Sequence, residues 1–244
     1  TAVRVSSSTG NGLEVAGNIL SGIFHPSAKL LLTLGTDGVP YLLMETVCIA
    51  ILGTVVGGIL ALPISFLASP KIMPKPVAFI FNALILLIRT LPSIVWALIW
   101  IRVTGPGAFC GVITQSICSI GMISKMYITA IADLDTSILE SLDASGCTAF
   151  QKIRYGIIPQ LTPNIISTVI YRFDINIKDA TTLGIVGAGG IGSFAINYGQ
   201  NQNHQDIVNV CVVVLLIVVF ILQSLGNALA RRTTNRGLFR KVHQ

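Results

Sequence analysis

Long apolar runs separated by short polar intervals constrain this chain more than any other feature. A transmembrane helix needs about 20 mostly apolar residues, and residues 48–68 alone meet that length. The run from Ile207 to Ala230 contains no charged residue. Charged residues make up 11% of the chain, whereas a soluble domain carries about 25%. The sequence therefore predicts an all-α polytopic membrane protein.

Five spans are visible in this pattern. They cover about residues 41–68, 77–103 and 107–131, a fourth that begins at Gln160, and 207–230. In the first span, small residues on one face predict close helix packing, at Gly53, Gly57 and Gly58. Residues 41–230 thus form the predicted transmembrane domain.

The segments on either side of this domain are more polar. Residues 1–40 form an external or interfacial segment with a weak amphipathic stripe, at Leu13, Ala16, Leu20 and Ile23. The stripe predicts a short helix that either lies on the membrane surface or packs against the bundle. Residues 231–244 form a basic tail.

Basic residues set the predicted orientation, because positive charge in short loops favours the cytoplasmic side. Lys71 and Lys75 in the first loop, the polar interval near residue 150 and the tail all fall on one side of a five-span chain. Residues 1–40 and 187–206 are then outside. These loops and the tail account for the net charge of +6, so no nucleic-acid partner is expected.

The longest polar interval inside the apolar chain runs from Glu140 to Pro159. Acidic residues precede Gly146, and a basic pair follows it. Two short helices are predicted at about residues 134–156, because Gly146 is suited to end the first and Pro159 is tolerated near the start of the next helix. For a membrane protein in general, the simplest interpretation is a solvated connecting loop.

Five residues inside the predicted spans are candidates for a translocation path: Arg89, Pro92, Arg172, Asp174 and Lys178. Arg89 precedes Pro92 in the second span, and an arginine at mid-membrane costs about 2.5–3.5 kcal/mol on insertion scales. Two interpretations stay open: an arginine that snorkels at a proline kink, or a residue that lines an anion path. In the fourth span Asp174 and Lys178 have the spacing of an ion pair, and Arg172 lies nearby. Structural pairing is the favoured role for that cluster.

A glycine cluster follows the fourth span, with glycines at Gly187, Gly189, Gly190 and Gly192. It fits the dinucleotide-binding pattern G-x-G-x-x-G, but that fingerprint requires a preceding strand and a βαβ unit. A tight re-entrant turn is expected instead, buried in protein or lining a cavity. The sequence has no Walker A lysine pattern either, so this chain is expected to bind no ATP.

The polar interval resembles the cytoplasmic coupling loop of ABC importer permeases. Glu140, Gly146, Ile158 and Pro159 have the spacing of that family's motif. The chain departs from the motif where two alanines and an aliphatic residue are usual, at Ser141, Leu142 and Gly156. The resemblance implies that the two short helices dock a separate ATPase.

A narrower resemblance, to the phosphonate-type ABC importer permeases, covers about residues 40–230. It rests on three sets of residues: Arg89 with Pro92, the run Tyr171 to Asp174 with Asn176, Ala180 and Thr181, and the run Val186 to Gly192. Such permeases have the transmembrane domain of a type I ABC importer, usually with six spans. The resemblance therefore implies a sixth span upstream of Thr1.

The resemblance also implies a multi-pass protein of the bacterial inner membrane that imports a phosphonate or a related oxyanion such as phosphite. Its expected partners are a second permease copy, two ATP-binding subunits and an extracytoplasmic phosphonate-binding protein. ATP and Mg²⁺ would lie on the ATPase, so this chain is expected to hold no cofactor and to be no enzyme. The implied ATPase contacts are Glu140, Asp143, Ala144, Gly146 and Pro159. Arg89 is the favoured contact for the anion.

Other functions stay open. The same machinery is compatible with another small solute, such as an amino acid or thiamine. A secondary transporter or channel without an ATPase would leave the coupling loop unexplained, and the inverted repeat frequent in such proteins is not evident. An intramembrane enzyme has the least support, because His25, His204 and His243 all lie outside the predicted spans.

Overall fold

The structure, a computed structural model, describes residues 39–193, Gly17, residues 212–214 and 216–221, and Ser224. Within residues 39–193 the regular elements are helices. They are α1 (Val39–Ala68), α2 (Lys75–Thr90), α3 (Ser93–Thr104), α4 (Ala108–Ala132), α5 (Thr136–Ala144), α6 (Ala149–Gln151), a π-helical segment (Lys152–Ile157) and α7 (Ile158–Ile185). The predicted all-α fold is confirmed for this part of the chain.

Helices α1, α4 and α7 pack together at the centre of the bundle. Two glycines of α1 allow α4 to approach closely. A Cβ atom on Gly53 would overlap the Cβ of Gln115, and one on Gly57 would overlap Ser119 and lie 2.9 Å from the Ser116 carbonyl oxygen. Small residues at such contacts are typical of membrane helix pairs. The small-residue face predicted for the first span is confirmed at these two positions.

The predicted second span consists of two helices with different directions. α2 and α3 meet at an angle of 90° across a short break. Leu91 is extended, with φ −91° and ψ 130°, because a following proline disfavours helical backbone at the residue before it. Pro92 then stands at the N-cap of α3. With 16 residues, α2 is about 24 Å long, so α2 alone falls short of a bilayer core of about 30 Å.

Different contacts hold the helices together at the two ends of the bundle. At one end Lys71 Nζ donates to the carbonyl oxygens of Leu134 at 2.8 Å and Ala132 at 3.3 Å, which links the α1–α2 turn to the end of α4. At the other end the Gly107 N–H donates to the Gly187 carbonyl at 2.9 Å. The first loop and the polar interval up to Pro159, which we call the coupling segment, are therefore at one end, as the charge distribution predicts. The glycine cluster is at the opposite end.

Among the described residues, α1 and α4 are each long and apolar enough to cross a membrane, and the bent pair of α2 and α3 is a third candidate. α7 is long enough, with 28 residues, but it carries four charged side chains. Within the predicted last span, residues 212–214 and 216–221 are helical, and its remainder lies mostly outside the described residues. The predicted amphipathic stripe before residue 39 and the basic tail lie outside them as well.

Candidate functional site

A buried polar layer joins α1, α4 and α7. Asn176 is fully buried, and its Nδ2 donates to the Thr54 hydroxyl at 2.7 Å and to the Ser119 hydroxyl at 2.8 Å. Gln115 Nε2 donates to the backbone carbonyl of Asn176 at 3.1 Å. Side-chain amides and hydroxyls commonly bond across membrane helices. The layer fixes the height of the three helices relative to one another.

Arg172 of α7 extends from this layer along α4. Its Nε donates to the Ser119 hydroxyl at 3.1 Å, and its Nη1 donates to the Met122 sulfur at 3.1 Å. Its Nη2 lies 3.8 Å from the Asp179 carboxylate. The arginine is only 5% exposed. Because the ion pair is long and a thioether is a weak acceptor, these contacts leave part of the donor capacity of the guanidinium unused.

Helices α1 to α7 leave one face of α4 open between α2 and α7. At about 100° per residue, Cys118, Met122, Lys125 and Thr129 lie within about 60° of one another on the helix surface. Cys118 and Met122 are half-buried, while Lys125 and Thr129 are exposed. We call these four residues the α4 stripe.

Arg89 borders the α4 stripe from α2. A Cβ on Gly121 would lie 3.0 Å from the Arg89 Cγ, so the last turn of α2 rests on the middle of α4. Arg172 reaches the same turn of α4 through Ser119. Gly121 and Ser119 lie about 160° apart around the helix, on opposite flanks of the stripe. The structure therefore brings the two arginines to one level, on either side of the α4 stripe. We call the space over the stripe, between α2 and α7, the groove.

The predicted path residues differ in how far they are paired. Lys178 Nζ donates to the Asp174 carboxylate at 2.9 Å, as the i,i+4 spacing predicts, and Arg172 faces Asp179. Arg89 is exposed and makes no side-chain hydrogen bond or ion pair with any residue in the described part of the chain. Of these three cations, Arg89 is the one that the described carboxylates leave uncompensated.

The coupling segment is a helical hairpin at the end of the bundle. The Asp135 carboxylate accepts from the Ser137 N–H at 2.9 Å, an N-cap bond that begins α5. Gly146 follows the helix in the left-handed conformation, with φ +73°, as the glycine signal predicts. α7 begins at Ile158, so Pro159 falls in its first turn, again as predicted.

The residues implied as ATPase contacts are all exposed on this hairpin: Glu140, Asp143, Ala144, Gly146 and Pro159. Asp143 also forms an ion pair with Lys152 of the π-helical segment, which ties the two arms of the hairpin together. Large apolar side chains stand exposed beside them, at Ile138, Phe150 and Tyr155. A patch of this kind is typical of a surface that contacts another protein.

An apolar cluster anchors the hairpin to the bundle. Ile131, Leu134, Ile157 and Leu161 are buried together. They come from the end of α4, the turn after it, the π-helical segment and the start of α7. Because a close-packed cluster transmits strain, displacement of the hairpin is expected to move α4 and α7 with it.

The glycine cluster forms a turn that is buried against α1 and α4. Three of its glycines have positive φ: Gly187 at +95°, Gly189 at +81° and Gly190 at +75°. The Ile191 N–H donates to the Thr46 hydroxyl at 2.9 Å, and Gly192 packs on the backbone of α7. The glycine cluster is therefore a tight turn that is buried in protein. It follows helix α7, so the strand that a dinucleotide fingerprint requires is not there.

Sequence patterns did not single out Thr54, Gln115, Ser119 or Met122. Small polar residues are frequent in apolar helices, and only the packing of distant helices decides which of them meet. One usable signal is the i,i+4 spacing of Gln115 and Ser119, which places both side chains on one face of a helix.

This chain matches the model of one protein family, the binding-protein-dependent transport system inner membrane component, over residues 53–235. It is 29% identical to the phosphite transport system permease protein PtxC of Stutzerimonas stutzeri, over 73% of this chain and 66% of that protein. It is 36% identical to the phosphate-import permease protein PhnE of Mycolicibacterium smegmatis, over 62% of this chain and 29% of that protein. The chain therefore spans less than two thirds of the length of either relative.

The fold is similar to that of the MetNI methionine ABC transporter in its inward-facing conformation. The TM-score is 0.71 at 21% identity, over 80% of this chain and 95% of that chain. The expected type I ABC importer fold is thereby confirmed. The family match covers well over half of the sequence and includes the α4 stripe and the coupling segment. The chain belongs to the family of binding-protein-dependent transport system inner membrane components.

Proposed function

We propose that this chain is the transmembrane subunit of an ATP-driven importer for a small phosphorus oxyanion, such as a phosphonate, phosphite or phosphate. The observation that carries the proposal is the placement of Arg89. This exposed cation of α2 lies beside the middle of α4, and no described carboxylate forms an ion pair with it. An arginine facing lipid at that depth costs about 2.5–3.5 kcal/mol. The groove that it borders is therefore expected to hold water or protein. Relatives named as phosphite and phosphate permeases support this substrate class.

A tetrahedral oxyanion suits the two arginines that flank the groove. A guanidinium presents N–H donors in a planar fork that matches phosphate-type oxygens. Arg89 offers a fork free of described partners, and Arg172 offers one that is partly used by Ser119 and Met122. Asp179 lowers the net charge beside Arg172. A site of this kind attracts an anion yet holds it loosely enough for release.

The proposal includes a second copy of this chain, two ATP-binding subunits and an extracytoplasmic binding protein. A second copy over the α4 stripe would close the groove into a path. The exposed hairpin around Glu140 and Gly146 would dock the ATPase, on which ATP and Mg²⁺ would lie. Closure of the ATPases would push the hairpin, and the apolar cluster beneath it would pass that movement to α4 and α7. Packed helices would then exchange inward-facing and outward-facing arrangements.

The role of Arg89 is tested by uptake of radiolabelled phosphite and methylphosphonate into proteoliposomes that contain the full importer. Arg89→Leu is expected to abolish most uptake while the complex still assembles, and Arg89→Lys is expected to keep part of it. Arg102→Leu is the matched control, because Arg102 is an exposed arginine near the end of α3. Unchanged uptake by Arg89→Leu would contradict the role of Arg89.

The substrate class is tested with the wild-type importer alone. Similarity to probable D-methionine transport system permease proteins makes an amino acid the second candidate, so D-methionine is the comparison substrate. Uptake of phosphite or methylphosphonate, with no uptake of D-methionine, is the expected result. The reverse preference would replace the substrate class while leaving the importer assignment intact.

ATPase docking is tested separately by co-purification and ATP hydrolysis in lipid. Glu140→Lys combined with Gly146→Pro is expected to reduce recruitment of the ATPase or its coupling to uptake. Asp133→Lys is the control, since Asp133 is an exposed acid that lies before the hairpin. A wild-type chain that recruits no ATPase would overturn the importer proposal itself.

A further inference from the structure

A lysine in the α4 stripe has no role in the function proposed so far. Lys125 is exposed, and its side-chain nitrogen makes no hydrogen bond or ion pair with any residue in the described ranges. It lies four residues beyond Gly121, the residue on which Arg89 rests. Four residues of helix correspond to about 6 Å along the axis. Lys125 therefore lies about one turn from the arginine level, toward the coupling hairpin.

The surroundings of Lys125 differ from a lipid-facing surface. The exposed side chains on the outer face of α1 are apolar, at Ile51, Leu52, Val55, Val56, Ile59 and Leu60. The α4 stripe instead carries a thiol, a thioether, an ammonium and a hydroxyl in succession. Lys125 is seven residues from the end of α4, or about 10 Å inside it. A charged side chain at such depth generally faces a cavity or a protein partner.

We infer that Lys125 is a further anion contact in the translocation path, one helical turn from the Arg89–Arg172 level on the side of the coupling hairpin. This inference rests on the proposed function. An oxyanion leaving the arginines meets Lys125 next along the same face of α4. The ammonium is a compact charge without the planar fork of arginine, so it attracts the anion with little demand on its orientation. Two cationic levels separated by one turn provide stepwise passage.

Accessibility of position 125 provides a test that does not depend on the substrate. In the full importer with its native cysteines replaced by serine, Lys125→Cys and Leu60→Cys are compared for reaction with a membrane-impermeant cationic thiosulfonate. Leu60 is an exposed apolar residue of α1 at the same level, since its neighbour Ala61 accepts from Ser124. Position 125 is expected to react about tenfold faster. A tenfold ratio of rates corresponds to a free-energy difference of about 1.4 kcal/mol. Methylphosphonate during turnover is expected to slow that reaction. Equal rates at the two positions would overturn the inference, because Lys125 would then face lipid and snorkel to the interface.

Uptake provides the second measurement. Lys125→Gln is expected to lower methylphosphonate uptake about tenfold, as loss of one charge-assisted contact implies, and Lys125→Arg is expected to restore it. Undiminished uptake by Lys125→Gln would remove Lys125 from the path. If the wild type carries no phosphorus oxyanion but position 125 is labelled, the groove is a water-filled path for another solute. In that case the proposed substrate is wrong, and so is the role of Lys125 as an anion contact. The assignment of the α4 stripe to a water-filled path is still correct.

Discussion

Leu142 of α5 occupies the space above Gly156 of the π-helical segment: a Cβ on Gly156 would lie 2.8 Å from the Leu142 Cδ1. These are two of the three positions at which the chain departs from the coupling-loop pattern. The usual pattern has an alanine at the position of Leu142 and an aliphatic residue at the position of Gly156. In this chain the larger side chain is on α5 and the smaller one on the π-helical segment, so the two departures together keep the volume between the arms of the hairpin.

Gly156→Val is expected to force the two arms of the hairpin apart, since Leu139 also lies 3.2 Å from the position of the added Cβ. Overpacking of this kind costs about 1–3 kcal/mol. The double variant Leu142→Ala/Gly156→Val is expected to recover most of the loss. Thermal unfolding of the purified complex measures the energy, and uptake per ATP hydrolysed measures coupling. Strictly additive effects of the two changes would mean that the side chains do not interact.

Lys71 is expected to support coupling by holding the end of α4. Its Nζ bonds to two carbonyl oxygens there, and a cation at a helix C-terminus contributes about 0.3–1 kcal/mol. Lys71→Met is expected to lower stability by a similar amount and to reduce uptake per ATP. Lys75→Met is the matched control, because Lys75 is exposed at the start of α2. Equal stability and equal uptake per ATP of the two variants would mean that Lys71 contributes only to the positive charge of the loop.

Gly57→Ala is expected to separate α1 from α4, since the added methyl overlaps Ser119 and lies 2.9 Å from the Ser116 carbonyl oxygen. Ser119 accepts from Arg172, so uptake is expected to fall together with thermal stability. Gly58→Ala is the control at the next residue, where the nearest atom, on Val169, would lie at an ordinary contact distance of 3.6 Å. Tolerance of Gly57→Ala would show that the helices can separate without harm.

Asn176→Ala removes two hydrogen bonds between helices. Such bonds average about 0.6 kcal/mol each in membrane proteins, so a loss of about 1 kcal/mol is expected. A double-mutant cycle with Thr54→Val, read by thermal unfolding, separates the Asn176–Thr54 bond from the Asn176–Ser119 bond. A coupling energy of zero between Asn176 and Thr54 would contradict the 2.7 Å bond.

Local rules predicted the features that depend on local backbone preference. A glycine that ends α5, a proline in the first turn of α7, the Asp174–Lys178 pair and the buried glycine turn all follow from residues close together in the chain. The direction of α3 did not follow. A proline predicts that a helix is interrupted, but the 90° angle depends on how α3 packs, for example where Ala97 meets Cys110 of α4.

The candidate site was predicted only in part, for a related reason. Arg89 stands out in the sequence as a charge in an apolar setting, and Arg172 stands out as part of a charged cluster in the fourth span. Their common level does not, since it is set by contacts of α2 and α7 with one turn of α4. The α4 stripe could not be predicted from the sequence either, because its four residues have no chemical property in common. Only the positions of α2 and α7 show which face of α4 stays open.

The polar layer also has a consequence for how the protein enters the membrane. α7 carries four charged side chains, and an arginine at the centre of an isolated helix opposes insertion by about 2.5–3.5 kcal/mol. Ser119 and Met122, which accept hydrogen bonds from Arg172, belong to α4, and α4 is synthesised before α7. α4 is thus available as a template when α7 leaves the ribosome. Biogenesis of this chain is expected to depend on the order of its helices, with α7 stalling at the translocon whenever α4 is removed or moved behind it.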